Sequence, residues 1–120
     1  MITRKFISSS AFAVLSLALI ASSPAGAQSK PATSKTVFEN GKITVIDSVS
    51  KPGEGLPSGV RGGMILYYLS GGTVERTFAD GKKETVVRKT GQSLVNSEMR
   101  PYSTLNTGST TVHVIAIRLK

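Results

Sequence analysis

From Gln28 onward no stretch of this chain places apolar residues at helical spacing over a useful length. Instead Gly, Asn and Asp interrupt it every few residues between β-rich runs. That pattern fits an all-β sandwich or closed barrel. Thr36–Phe38 reads as a short strand, and Asn40-Gly41 as a two-residue hairpin turn with positive φ values. Lys42–Val49 follows as a strand with both faces partly apolar. Lys51–Gly63 is a long loop, rich in Pro and Gly, that leads into the apolar run Met64–Leu69, which suits a buried strand. Gly71-Gly72 turns the chain. Thr73–Phe78 and Glu84–Arg88 flank Asp80-Gly81, a strong hairpin signal. Ser93–Val95, Tyr102–Leu105 and Thr110–Leu119 complete the set.

Residues 1–27 stand apart from this pattern. Arg4 and Lys5 form a basic start, Phe6–Ile20 is mostly apolar, and Ala25-Gly26-Ala27 supplies a small-x-small cleavage pattern. The apolar run contains Ser8-Ser9-Ser10 and is short of the roughly 20 residues of a spanning helix. Export with cleavage after Ala27 is therefore expected, to the periplasm or the medium, with no stable membrane anchor left. Gln28–Lys35 is expected to be a flexible lead-in and residues 36–120 a single domain. The chain contains no cysteine, so neither a disulfide nor a lipoprotein attachment site is available, and the core alone must hold the fold. The formal net charge is +8, of which Arg4 and Lys5 contribute two. The remaining basic residues are scattered, without interleaved aromatics, as on a solvated surface and unlike a nucleic-acid site.

Two spaced frames carry a resemblance. From Gly53, five residues lead to Gly59, one more to Arg61, three to Ile65 and six to Gly72. From Gly91, five lead to Ser97, one to Met99, two to Tyr102 and three to Asn106. These resemble the paired cupin motifs, G-x5-H-x-H-x3-4-E-x6-G and G-x5-P-x-G-x2-H-x3-N. The resemblance implies a small jelly-roll barrel with a ligand between its sheets, and a homodimer joined through sheet edges. It also implies that Gly59, Arg61, Ile65 and Tyr102 stand where relatives carry three histidines and a glutamate that bind a metal. Glycine and isoleucine offer no ligand atom, arginine stays protonated, and a lone tyrosine is a rare ligand. No metal and no other cofactor is expected, and metal-dependent dioxygenase or isomerase chemistry is disfavoured.

The substitutions suggest an inverted site, in which the fixed cation Arg61 and the phenol of Tyr102 meet a small organic acid against a wall of Ile65, Leu66 or Tyr67. Arg100 is the fallback anchor. The competing readings are a rim charge for Arg61 and space-filling for Tyr102. One of the adjacent Tyr67 and Tyr68 must face inward. The leading function is an exported, non-enzymatic binding or accessory domain. The alternatives are a cupin enzyme of isomerase, lyase or oxygenase type without the usual ligands, and a structural dimerisation module. An enzyme needs an acid or base inside the barrel, and His113, Glu54, Glu98 and Tyr102 are the candidates.

Overall fold

The computed structural model describes residues 30–120. The expected cleavage site and the start at Gln28 lie outside the described residues. Ten strands follow in order: β1 (Lys30–Pro31), β2 (Thr33–Glu39), β3 (Ile43–Ser50), β4 (Glu54–Gly55), β5 (Ile65–Ser70), β6 (Gly72–Phe78), β7 (Lys83–Arg88), β8 (Ser93–Val95), β9 (Tyr102–Asn106) and β10 (Val112–Leu119). They form a five-stranded sheet in the order β2-β3-β10-β5-β8, a three-stranded sheet in the order β7-β6-β9, and a short parallel pair, β1-β4. The last long strand is inserted between β3 and β5, antiparallel to both. This is a jelly-roll sandwich, and among the described residues there is no helix long and apolar enough to cross a membrane.

Strand alternation decides what faces the interior. Met64, Leu66 and Tyr68 are buried with Val112 and Ala116, and Ile46, Val74, Leu94 and Val114 pack against them. The intervening residues of β5 point the other way, so Ile65, Tyr67 and Leu69 are exposed. Gly71 is the single residue between β5 and β6, which lie in different sheets. Here the glycine pair turns the chain from one layer of the sandwich into the other.

Two local expectations are corrected. Lys30–Lys35 is not a loose lead-in: Lys30 and Ala32 donate backbone N–H groups to Gly53 and Gly55, and Thr33–Lys35 pairs with Val49–Asp47. These polar residues are held by ladder hydrogen bonds, which leave no mark in a hydrophobic pattern. The Asn40-Gly41 turn also differs, since Gly41 does not adopt positive φ. The Asn40 side chain shapes it by accepting from the N–H groups of Lys42 and Ile43 at 2.8 and 2.9 Å. The Asp80-Gly81 hairpin forms as expected, with Gly81 at φ 88°.

Candidate functional site

Between the sheets lies a cavity of about 360 Å³, within the range that holds small molecules. Its apolar wall comes from the inward residues of β5 and β10 with Ile46 beside them in the same sheet, and Val74 faces them from the other. Ser34, Ser48 and Ser50 add a hydroxyl strip, in which Ser48 donates to Ser34 at 3.1 Å. At the mouth stand Arg61, from the loop before β5, and Arg118, near the end of β10. The lining contains these two arginines and no carboxylate.

The two arginines differ in what they already hold. Arg61 donates from Nη1 to the carbonyls of Gly59 and Tyr102 and from Nη2 to that of Pro57, tying the loop to β9. Burial, together with the nearby Arg118 and Arg76 cations, lowers its pKa from the ordinary arginine value, yet a guanidinium stays charged at neutral pH. Arg118 donates from Nη2 to Val60 O at 3.0 Å and touches Met64 Sδ at 3.6 Å. Among the described residues its Nε and Nη1 make no hydrogen bond. The alternation of Val112, Val114, Ala116 and Arg118 on one face of β10 was the sequence signal for this residue.

Tyr102 is 3 % exposed and lines the cavity beneath Arg61. The guanidinium groups of Arg61 and Arg76 both lie over its ring, 5.1 and 4.6 Å from its centroid, and the ring meets Phe78 edge-on at 5.8 Å. Asn96 Nδ2 donates to its hydroxyl at 2.9 Å and to Arg61 O at 3.0 Å. Sequence reasoning missed Asn96, because a turn asparagine gives no sign that it will be buried.

Solved structures were compared with this arrangement. A cupin domain from Bordetella pertussis Tohama I is similar at 16% identity with a TM-score of 0.69, covering 78% of this chain and 97% of that one. The fold is that of the cupins. A double-stranded β-helix domain protein from Klebsiella pneumoniae is similar at 17% identity and TM-score 0.56, over 72% of this chain and 70% of that one. The polyketide cyclase RemF from Streptomyces resistomycificus is similar at 14% and 0.54, over 77% and 69%. No family model and no curated protein matches the sequence.

In this fold the two frames converge. Gly59 and Tyr102 exchange backbone hydrogen bonds at 3.2 and 3.1 Å, and both line the cavity with Arg61. The fourth position needs correction: Ile65 is on the outer face, and the motif's alternative spacing of four residues lands on Leu66, which points inward. For the same reason Tyr68, not Tyr67, lines the cavity. Arg100 is also outside it. Its fork clasps Glu98 at 2.9 Å through both Nε and Nη2, and it lies over Phe78 at 4.1 Å. That clasp, with the Arg100 backbone N–H, lowers the Glu98 pKa to about 2.

The remaining frame positions do structural work. Gly53 and Gly91 both have φ of 85°, and Asn106 donates from Nδ2 to Ser50 O and Thr110 O while accepting from the Gly108 N–H. A metal of the kind the resemblance implies does not fit the donors present. Leu66 and Gly59 have no ligand atom, Arg61 is a cation, and the Tyr102 hydroxyl is already engaged by Asn96. Among the described residues no group of three or more His, Cys, Asp or Glu could hold a metal ion. The proposed acids and bases lie elsewhere. His113 meets Asp47 at 2.7 Å on the outer face, Glu54 accepts from the Lys51 N–H, and Glu98 is held by Arg100.

Proposed function

We propose that this chain is an exported, non-enzymatic cupin that binds a small organic acid without a metal. The carrying observation is a small-molecule cavity that bears two arginines and no carboxylate. Arg118 offers its Nε and Nη1 to the ligand's carboxylate, and Arg61, tied to three carbonyls, adds positive potential and frames the mouth. The apolar wall buries the body of the acid, and the serine strip suits a hydroxyl on it. Of the acid–base candidates His113, Glu54, Glu98 and Tyr102, only Tyr102 lines the cavity, and its engagement by Asn96 favours binding over catalysis. Export rests on Arg4-Lys5, the apolar run and Ala25-Gly26-Ala27. Protein recovered from the cell envelope should have an intact mass that begins at Gln28, and retention of residues 1–27 would contradict export.

Binding is tested by a thermal-shift screen of small aliphatic and hydroxy acids against their amides. Acids should stabilise the wild type and the matched amides should not. A charge-assisted hydrogen bond contributes roughly 1.5–3 kcal/mol, so Arg118→Met should weaken binding by about ten- to hundredfold. The reading fails if amides bind as well as acids, if no acid binds, or if Arg118→Met responds like the wild type.

A further inference from the structure

On the inner side of the five-stranded sheet the cavity is polar at both ends and apolar between them. Cross-strand partners share a rung of the ladder, and the inward residues of β10 mark the rungs in turn. Arg118 stands opposite Thr44, Ala116 between Ile46 and Leu66, and Val114 between Ser48 and Tyr68. Ser34 extends the last of these onto β2, where it pairs with Ser48. The Arg118 guanidinium stays on its own rung, because Nη2 is held by Val60 O and touches Sδ of Met64, which lies one step past the Ile117–Ile65 pair. Arg61 follows Val60 directly, so both arginines of the lining are at this end. Ala116, the smallest side chain of the middle rung, leaves open space between the two ends.

Ser48 stands out in this wall. It is 6% exposed, while Ile46, Val112 and Val114 around it are apolar. The other buried polar side chains among the described residues, Asn96 and Asn106, each tie backbone groups of loops through several hydrogen bonds. Among the described residues the Ser48 side chain bonds only the hydroxyl of Ser34, which is exposed on the edge strand, at 3.1 Å. A buried hydroxyl that braces no backbone costs stability without a compensating partner. With Ser48 donating to Ser34, the Ser34 hydrogen remains to be donated and the Ser48 oxygen can still accept, which are the two halves of what a ligand hydroxyl needs.

Building on acid binding in this cavity, we propose that the acid carries a hydroxyl at the end opposite its carboxylate, and that Ser34 and Ser48 bind it. Val114 and Arg118 are four residues apart on β10, about 13 Å at about 3.3 Å per residue. A hydrogen bond of roughly 2.9 Å at each end leaves about 7 Å between the ligand's outer oxygens, the span of an acid of roughly four to six carbons. A hydroxyl next to the carboxylate falls short of the serines. A second carboxylate would be buried against hydroxyls with no cation beside it.

Calorimetric titration of protein obtained by expressing the full chain tests this with the salts pentanoate, 5-hydroxypentanoate, 2-hydroxypentanoate and pentanedioate. The distal hydroxyl should tighten binding roughly three- to tenfold over pentanoate, the worth of one neutral hydrogen bond, and the other two salts should gain nothing. Ser48→Ala should erase that gain while leaving pentanoate affinity within about twofold of the wild type, a split that a merely structural serine would not give. If pentanoate binds and the distal hydroxyl adds nothing, if pentanedioate binds tightest, or if Ser48→Ala keeps the gain, the distal site is wrong and acid binding stands. If none of the salts binds, the distal site is again wrong, and acid binding falls with it when the wider screen of acids is also negative.

Discussion

Tyr102→Ala should lower the stability of the domain by about 3–5 kcal/mol, the range for removing a large buried aromatic side chain. The ring is nearly inaccessible, packs edge-on against Phe78, and lies under the guanidinium groups of Arg61 and Arg76. Its removal opens a void and takes the aromatic face away from two cations that lie over it. Asn96 Nδ2 loses its hydroxyl partner as well. In a domain of this size each kcal/mol shifts Tm by roughly 4–8 °C, so the midpoint should fall by more than about 12 °C. Tyr102→Phe keeps the ring and removes only the hydrogen bond, for a loss of about 1–2 kcal/mol. Urea unfolding of the two variants separates these contributions, and an alanine variant within about 1 kcal/mol of the wild type would show that the ring does not hold the two sheets.

Gly55→Ala should be nearly as damaging, for a reason that owes nothing to hydrophobicity. A Cβ at this position would lie 1.8 Å from Thr104 O, 2.9 Å from Thr104 C and 3.1 Å from Leu105 Cα. All three are backbone atoms of β9, so no side chain can rotate out of the way. To make room β4 must lift from β9, which breaks the hydrogen bonds from Leu56 N to Thr104 Oγ1 and from Thr104 N to Leu56 O, at 3.1 and 3.0 Å. The seam that anchors β1 loosens with it, because the Ala32 N–H bonds Gly55 O. A loss of at least about 2–3 kcal/mol is expected, with faster proteolysis around Glu54–Pro57. Gly41→Ala is the contrast, since its Cβ meets nothing within 4 Å and its stability should change by less than about 1 kcal/mol. Equal tolerance of the two substitutions would contradict the close approach of β4 to β9.

The all-β architecture was legible in the sequence because turn residues and β-branched runs alternate throughout, and the cupin frames were legible in their spacing. Which face of β5 points inward was not. From Met64 to Leu69 every residue is large and apolar, so nothing in the run separates the inner side from the outer, and of the expected wall of Ile65, Leu66 or Tyr67 only Leu66 lines the cavity. Its outer side carries Ile65, Tyr67 and Leu69, all exposed. Arg61 lines the cavity, but its carbonyl partners are set by the fold of its loop and cannot be read from residue order. Arg118 had a readable signal in the two-residue period of β10. It was overlooked because it lies beyond the second frame.

In the proposed function the cavity's own cations, and no metal, hold an acid. Calorimetric titration tests it most directly, using an acid identified in the screen and wild-type protein first stripped with a strong chelator and then supplied with iron, manganese, nickel or zinc. The account predicts the same affinity and one site per chain in every sample. An affinity that vanishes on chelation and returns with one equivalent of a transition metal would contradict it.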